Sequence, residues 1–339
     1  MKKDLSRRSF IRKSALTTGL VAMSPLAIND NSQDGRLPRE VWIAGLSQMD
    51  MHTETPEIML GEMVNLVRDG MVLQPDVLCL PETFPVVNQS QPLDLPGKLK
   101  YSEKALNAFS NLAKEYKCNV VCPVYTTESG KSFTSAVFID RKGNVLGEYR
   151  KMHLTVDEIG SGLTPGPLDV PVFETDFGRI GAQICYDMYW DDGWRTLAEK
   201  GAEIVFWPSA FAGGSRVNMK ALEHQYVVVS STRKNTSKIC DIRGEQVNAT
   251  GFWDRNFFCG KVNLEKVLID TWPHVYHFSD IRKKYGRKVL ISTLHEEQFS
   301  IIESLSPEIL VVDILIEFGI RSYKEEVKEA EEAQIKARI

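Results

Sequence analysis

Short, uninterrupted apolar runs separated by helical stripes dominate this chain. Val77-Leu78-Cys79-Leu80 is apolar at every position. That suits a strand covered on both faces rather than one with a wet side. Residues 179–187 and 203–208 hold two more such strands, with a helix-length segment between them. Ile58, Met59, Met63, Leu66 and Val67 share one helical face of 54–69, and Leu106, Phe109, Leu112 and Ala113 one face of 101–116. Residues 41–49, 119–125, 133–140 and 145–154 read as strands, the last two joined by the turn Arg141-Lys142-Gly143-Asn144. Residues 227–232, 239–242 and 257–262 continue the pattern, and 83–100, rich in Pro, Gln, Asn and Ser, reads as a loop. Strands that alternate with helices in some places and pair as hairpins in others specify an α/β domain with a mixed sheet or sheets. No repeat or low-complexity linker breaks 40–320, so one domain is expected there, with 263–320 as an extended packing or subunit element. Residues 321–339 are good helix formers whose charges nearly cancel, which predicts a charged C-terminal helix or tail.

The start of the chain differs in kind. Lys2, Lys3, Arg7, Arg8, Arg12 and Lys13 face only Asp4, and a weakly apolar stretch over 15–27, too short to span a bilayer, follows them. A basic region, an apolar region and a polar segment are the form of a secretion signal. The junction Arg7-Arg8-Ser9-Phe10-Ile11-Arg12 resembles a twin-arginine export signal, against the plainer alternative of a basic tail. Residues 1–35 are therefore expected to be a signal and short linker, and the protein to be periplasmic or extracellular after passing the twin-arginine machinery. The net charge of −4 leaves no basic field that would favour nucleic acid. Six cysteines could pair, but Cys118 and Cys122 on one strand would stand about 13 Å apart, too far for a disulfide.

Three segments put a reactive side chain where a strand ends. Glu82 closes the run 77–81, where burial would raise a carboxyl pKa toward the range useful to a general base. In 147–154, alternation sets Tyr149, Lys151 and His153 on one face and Arg150, Met152 and Leu154 on the other. Cys185 follows Ile180-Gly181-Ala182-Gln183-Ile184, and a tight turn there would expose a thiol and free the next N–H for an oxyanion. Taken singly, Glu82 is equally a strand-end cap, Lys151 a solvent-facing lysine and Cys185 a small core residue.

Together they are more specific. Leu80-Pro81-Glu82, Tyr149-Arg150-Lys151-Met152-His153-Leu154 and Ile184-Cys185-Tyr186-Asp187 occur in that order. Leu163-Thr164-Pro165-Gly166 lies between the last two, and Trp207-Pro208-Ser209-Ala210 follows. Over residues 41–262 the chain resembles the carbon–nitrogen hydrolase (nitrilase) superfamily. The resemblance implies a four-layer α-β-β-α sandwich with its active site at the sheet ends. It implies Cys185 as nucleophile, Glu82 as general base, Lys151 as oxyanion partner and Glu158 as a second glutamate. Tyr186 would lend its N–H to the oxyanion, with Tyr189 and Trp190 on the substrate side. The reaction implied is hydrolysis of a linear amide or N-carbamoyl compound through a thioester, with no cofactor or metal. A nitrilase acting on C≡N, an acyltransferase or a silent scaffold would carry the same blocks. Homo-oligomers are common in the family, so a dimer or larger assembly is expected.

The chain departs from the family pattern in two places. Asp191 and Asp192 stand where many members carry Pro-Glu, and Lys220-Ala221-Leu222-Glu223-His224 where Arg-Ala-x-Glu-Asn is usual. Glu223 is expected to tie loops near the nucleophile. His295-Glu296-Glu297-Gln298 lacks the second histidine of a zinc-protease helix, so no metal site is assigned there.

Overall fold

A computed structural model describes residues 37–254 and 256–338. The export signal expected over 1–35 lies outside them. In chain order the first strands are β1 (Glu40–Leu46), β2 (Val77–Cys79), β3 (Asn119–Glu128), β4 (Lys131–Ile139) and β5 (Val145–Arg150). Next come β6 (Phe173–Glu174), β7 (Arg179–Ala182), β8 (Ile204–Ser209), β9 (Val227–Thr232), β10 (Lys238–Cys240), β11 (Gln246–Ala249) and β12 (Phe257–Asn263). They form two six-stranded sheets, ordered β12-β1-β2-β3-β4-β5 and β11-β10-β9-β8-β7-β6. Each has a parallel trio, β1-β2-β3 or β7-β8-β9, flanked by antiparallel strands.

The helices follow from caps and apolar stripes. Thr55 caps α1 (Pro56–Gly70), and Asp94 caps α2 (Leu95–Tyr116) by accepting from the Gly97 N–H at 2.9 Å. The second helix begins inside the expected loop 83–100. Pro96 disguised it, yet proline is tolerated in a first turn, where its missing N–H costs no helical bond. Both helices pack on the first sheet, with Met59, Met63, Val67, Phe109 and Leu112 meeting Leu78, Val120 and Cys122. On the second sheet, α4 (Asp192–Glu199) and α5 (Ser215–His224) bury Trp194, Leu197, Val217 and Ala221, while Val41, Val121, Ile180 and Phe206 belong to the same continuous core. A short α3 (Val156–Gly160) lies between β5 and β6. The layers are helix, sheet, sheet, helix, the sandwich expected.

Residues 263–320, expected as an extended packing or subunit element, hold a sheet of their own. Strands β13 (Lys266–Asp270), β14 (Val289–Leu294) and β15 (Phe299–Ser304) make a separate antiparallel sheet, ordered β13-β15-β14. With α6 (Phe278–Tyr285) and α7 (Val311–Phe318) it has its own core of Ile269, Phe278, Ile281, Ile302 and Ile314. Helix α8 (Tyr323–Ala337) follows, with a Ser322/Glu325 capping box. All six cysteines are free, and all but the half-buried Cys259 are buried.

Candidate active site

The carboxyl ends of β2, β5, β7 and β9 lie at one edge of the two sheets, where open α/β folds place their ligands. Glu82 lies three residues past β2, Lys151 one past β5, Cys185 three past β7 and Arg233 one past β9. Alternation along 147–154 does not persist to His153: β5 stops at Arg150 and the chain bends, so Tyr149, Lys151, Met152 and Leu154 are all buried. The Lys151 N–H donates to Thr134 and its carbonyl accepts from Gly166, which fixes that bend.

Lys151 Nζ donates to Glu82 Oε1 at 3.1 Å and to Glu158 Oε1 at 2.7 Å. Glu158 is held in turn by the capping box of α3, where its Oε2 accepts from the Thr155 N–H. Arg233 Nη2 donates to Glu82 Oε2 at 2.8 Å and Arg233 Nε to the Glu82 carbonyl at 3.0 Å. Two carboxylates and two cations thus balance inside a site where Glu82 and Lys151 are almost fully buried. Glu82, the Ser209 hydroxyl and the Ala210 N–H all lie close enough to the Cys185 thiol to act on it.

Burial and charge compete here. Burial pushes the Glu82 carboxyl up, but Lys151 and Arg233 outweigh it and hold it below its ordinary value. Burial depresses Lys151, and Glu82, Cys185 and Glu158 more than reverse this. At Cys185 burial wins, aided by Glu82, and the thiol rises to about 12 despite Lys151. The resting pair is therefore a neutral thiol beside a carboxylate, so a cationic neighbour alone does not make a resting thiolate here.

Asp187 bolts the site together. Its Oδ2 accepts from the Tyr149 hydroxyl at 2.7 Å and the Ile184 N–H at 2.8 Å, and its Oδ1 from the His153 N–H at 2.8 Å. One fully buried carboxylate joins the bend that carries Lys151 to the turn that carries Cys185. That turn, Cys185–Tyr189, replaces the strand end expected over 183–187, and Cys185 adopts φ +45°. Left-handed backbone at a non-glycine residue costs about 1–3 kcal/mol. The Trp207 indole, donating to the Cys185 carbonyl at 3.2 Å, helps hold it there.

Tyr186, Tyr189 and Trp190 form an aromatic ledge just beyond. Tyr186 meets both others edge-on at 5.1 Å, and Trp190 stacks on His153 at 4.2 Å. Asp191, Lys220 and His224, the departures from the family pattern, prove to be one cluster. Asp191 Oδ1 pairs with Lys220 Nζ at 2.6 Å and His224 Nε2 at 2.8 Å, and Oδ2 with Arg195 at 3.0 Å. Glu223 is half exposed and, among the described residues, pairs with Lys220 alone, at 3.9 Å, so the expectation that it ties the nucleophile loops is corrected: Lys220 and His224 hold that loop through Asp191. This cluster lines a groove of about 900 Å³ beside α8. Asp191, Glu223 and His224 stand close enough to share a cation, but the Lys220 ammonium already occupies Asp191.

Arg233 and Asp187 were not assigned from the sequence. Arg233 carries the signal that marked Glu82, a charge directly after a fully buried run, Val227–Thr232. Asp187 sat inside a quoted motif, but only the fold reveals its partners.

Residues 43–267 match the carbon–nitrogen hydrolase family. The chain belongs to that family. Among curated relatives, human deaminated glutathione amidase is 30% identical over 196 residues, covering 50% of this chain and 58% of that protein. Citrullinase of Francisella tularensis is 29% identical over 137 residues, covering 34% of this chain and 48% of that protein. The chain thus spans about half the length of these curated relatives. The crystal structure of an amidase from Nesterenkonia sp. superposes with a TM-score of 0.58 at 19% identity, covering 67% of this chain and 92% of that one, which supports the shared fold. The matched region ends at the start of β13, so the three-stranded sheet is almost wholly outside it.

Proposed function

We propose that this carbon–nitrogen hydrolase cleaves a linear amide or N-carbamoyl compound through a thioester on Cys185. The observation that carries the reading is the buried cluster in which Glu82 bonds Lys151 and lies beside the Cys185 thiol. An amide is a poor electrophile, so it needs an activated nucleophile and a prepared oxyanion site. As Cys185 Sγ forms its bond to the carbonyl carbon, the thiol proton passes to Glu82. Lys151 and the Tyr186 N–H stabilise the oxyanion, and Glu158 steadies the Lys151 ammonium. Collapse breaks the C–N bond, and Glu82 returns its proton to the leaving nitrogen. Water, deprotonated by Glu82, then hydrolyses the thioester to the acid. Tyr189 and Trp190 stand on the substrate side. The curated relatives named as amidase and citrullinase support an amide or carbamoyl substrate over a nitrile. Export by the twin-arginine route remains part of the proposal on Arg7-Arg8 and its apolar stretch alone, as does a homo-oligomeric state on family habit.

Ammonia release from a panel of amides, N-carbamoyl compounds and nitriles tests this reading, with Cys185→Ala as control. Release from amides or carbamoyl compounds that the variant loses is expected. Turnover of nitriles only would favour a nitrilase, and turnover retained by Cys185→Ala would overturn the mechanism.

A further inference from the structure

We propose that Arg233 is a positioning residue for the base: it keeps the Glu82 carboxylate ionised and turned toward the Cys185 thiol. The proposal rests on Glu82 being the base of the hydrolase described above. Glu82 is 1% exposed, and an isolated carboxylate that deeply buried would protonate rather than remain charged. Lys151 alone does not solve this, because its ammonium is shared with Glu158 at the shorter distance of 2.7 Å against 3.1 Å. Arg233 has no second carboxylate among its described bonds. Its Nη2 grips Oε2 and its Nε grips the carbonyl of the same residue, so one planar fork fixes both the side chain and the main chain of Glu82.

The groups facing Glu82 are few. Lys151 comes from the end of β5, Arg233 from the end of β9 and the Cys185 thiol from the turn after β7. Glu158 on α3 faces Lys151, and Tyr125 on β3 lies in the electrostatic reach of both Glu82 and Arg233. Removing the guanidinium leaves two carboxylates to share one ammonium. Glu82 must then titrate higher, since an adjacent opposite charge lowers a carboxylate by about 1–3 units.

Alkylation of Cys185 by iodoacetamide, followed as the carbon–sulfur adduct, reads this couple without relying on turnover. Sulfur forms the new bond to carbon, iodide leaves and the thiol proton passes to Glu82. The rate at the Cys185 peptide, followed by mass spectrometry against pH, should hold in the native protein down to about pH 5. In Arg233→Met, and in Arg233→Gln should the first not fold, the acid limb should move up by about one pH unit or more. Arg233→Lys, which restores a charge, should bring it most of the way back. A folded neutral variant whose limb coincides with wild type overturns the proposal, as does a lysine variant no better than the glutamine one. Because the readout is alkylation at the Cys185 peptide and not ammonia release, a wild type that releases no ammonia sinks the hydrolase reading, and an unmoved limb sinks this one.

Discussion

Glu82 and Asp191 present the same motif in opposite surroundings. Each carries a cation on both oxygens: Lys151 and Arg233 on Glu82, and Lys220 and Arg195 on Asp191, which also meets the His224 ring. The Glu82 side chain is 1% exposed and that of Asp191 40%. At Asp191 burial raises the carboxyl, and Lys220 and Arg195 together outweigh it and carry it down to about 2. At Glu82 burial is the largest single influence and opposes the cations, which still hold the carboxyl below its ordinary value. Pairing alone therefore does not say what a carboxylate is for. A buried pair is costly to assemble and severe to break, whereas an exposed pair is cheap in both directions.

The comparison is open to attack from the strong end. Lys151→Met should cut ammonia release by about a thousandfold or more. It should also destabilise the fold by about 3–5 kcal/mol in urea unfolding, because buried Glu82 and half-buried Glu158 lose their shared partner. Asp187→Asn should cost about 2 kcal/mol by the same method, since a buried amide cannot accept all the bonds the carboxylate accepts. Ammonia release against pH should keep its acid limb below the ordinary carboxyl range, because Glu82 is held down. The neutral thiol, near 12, should add no alkaline step around pH 8–9 of the kind a free cysteine gives.

Asp191→Asn should do least. It should change stability by less than about 1 kcal/mol, and less again at high salt. The folded Asp191 carboxyl lies below its unfolded value, so its contribution is complete above the unfolded pKa. It fades as pH falls toward 2. The variant should therefore flatten the stability curve only on that acid side. A loss as large as that of Lys151→Met would erase the contrast between the two carboxylates.

Much of this was legible in the chain itself. Fully buried strands announce themselves as unbroken apolar runs, so β2, β8 and β9 were placed to within a residue or two. Glu82, Lys151, Glu158 and Cys185 were singled out, and the fold brings them together. What escaped was long-range or masked locally. Pro96 hid the first turn of α2, whose cap Asp94 was the available clue. The alternation in β5 failed because Thr134 and Gly166 bend the chain at Lys151, a tertiary effect outside any window of sequence. Arg233 lies 151 positions from Glu82, and no periodicity links residues on different sheets. Residues 263–320 carried no motif to anchor them and no clean period-two alternation, so their sheet went unread.

Acid quenching during turnover of an amide, followed by mass spectrometry of the Cys185 peptide, bears most directly on the chemistry. The acyl group should appear on that peptide, rise before ammonia release becomes steady, and be absent from Cys185→Ala. Steady ammonia release with Cys185 unmodified at every time point, and undiminished in Cys185→Ala, would contradict a thioester at this site.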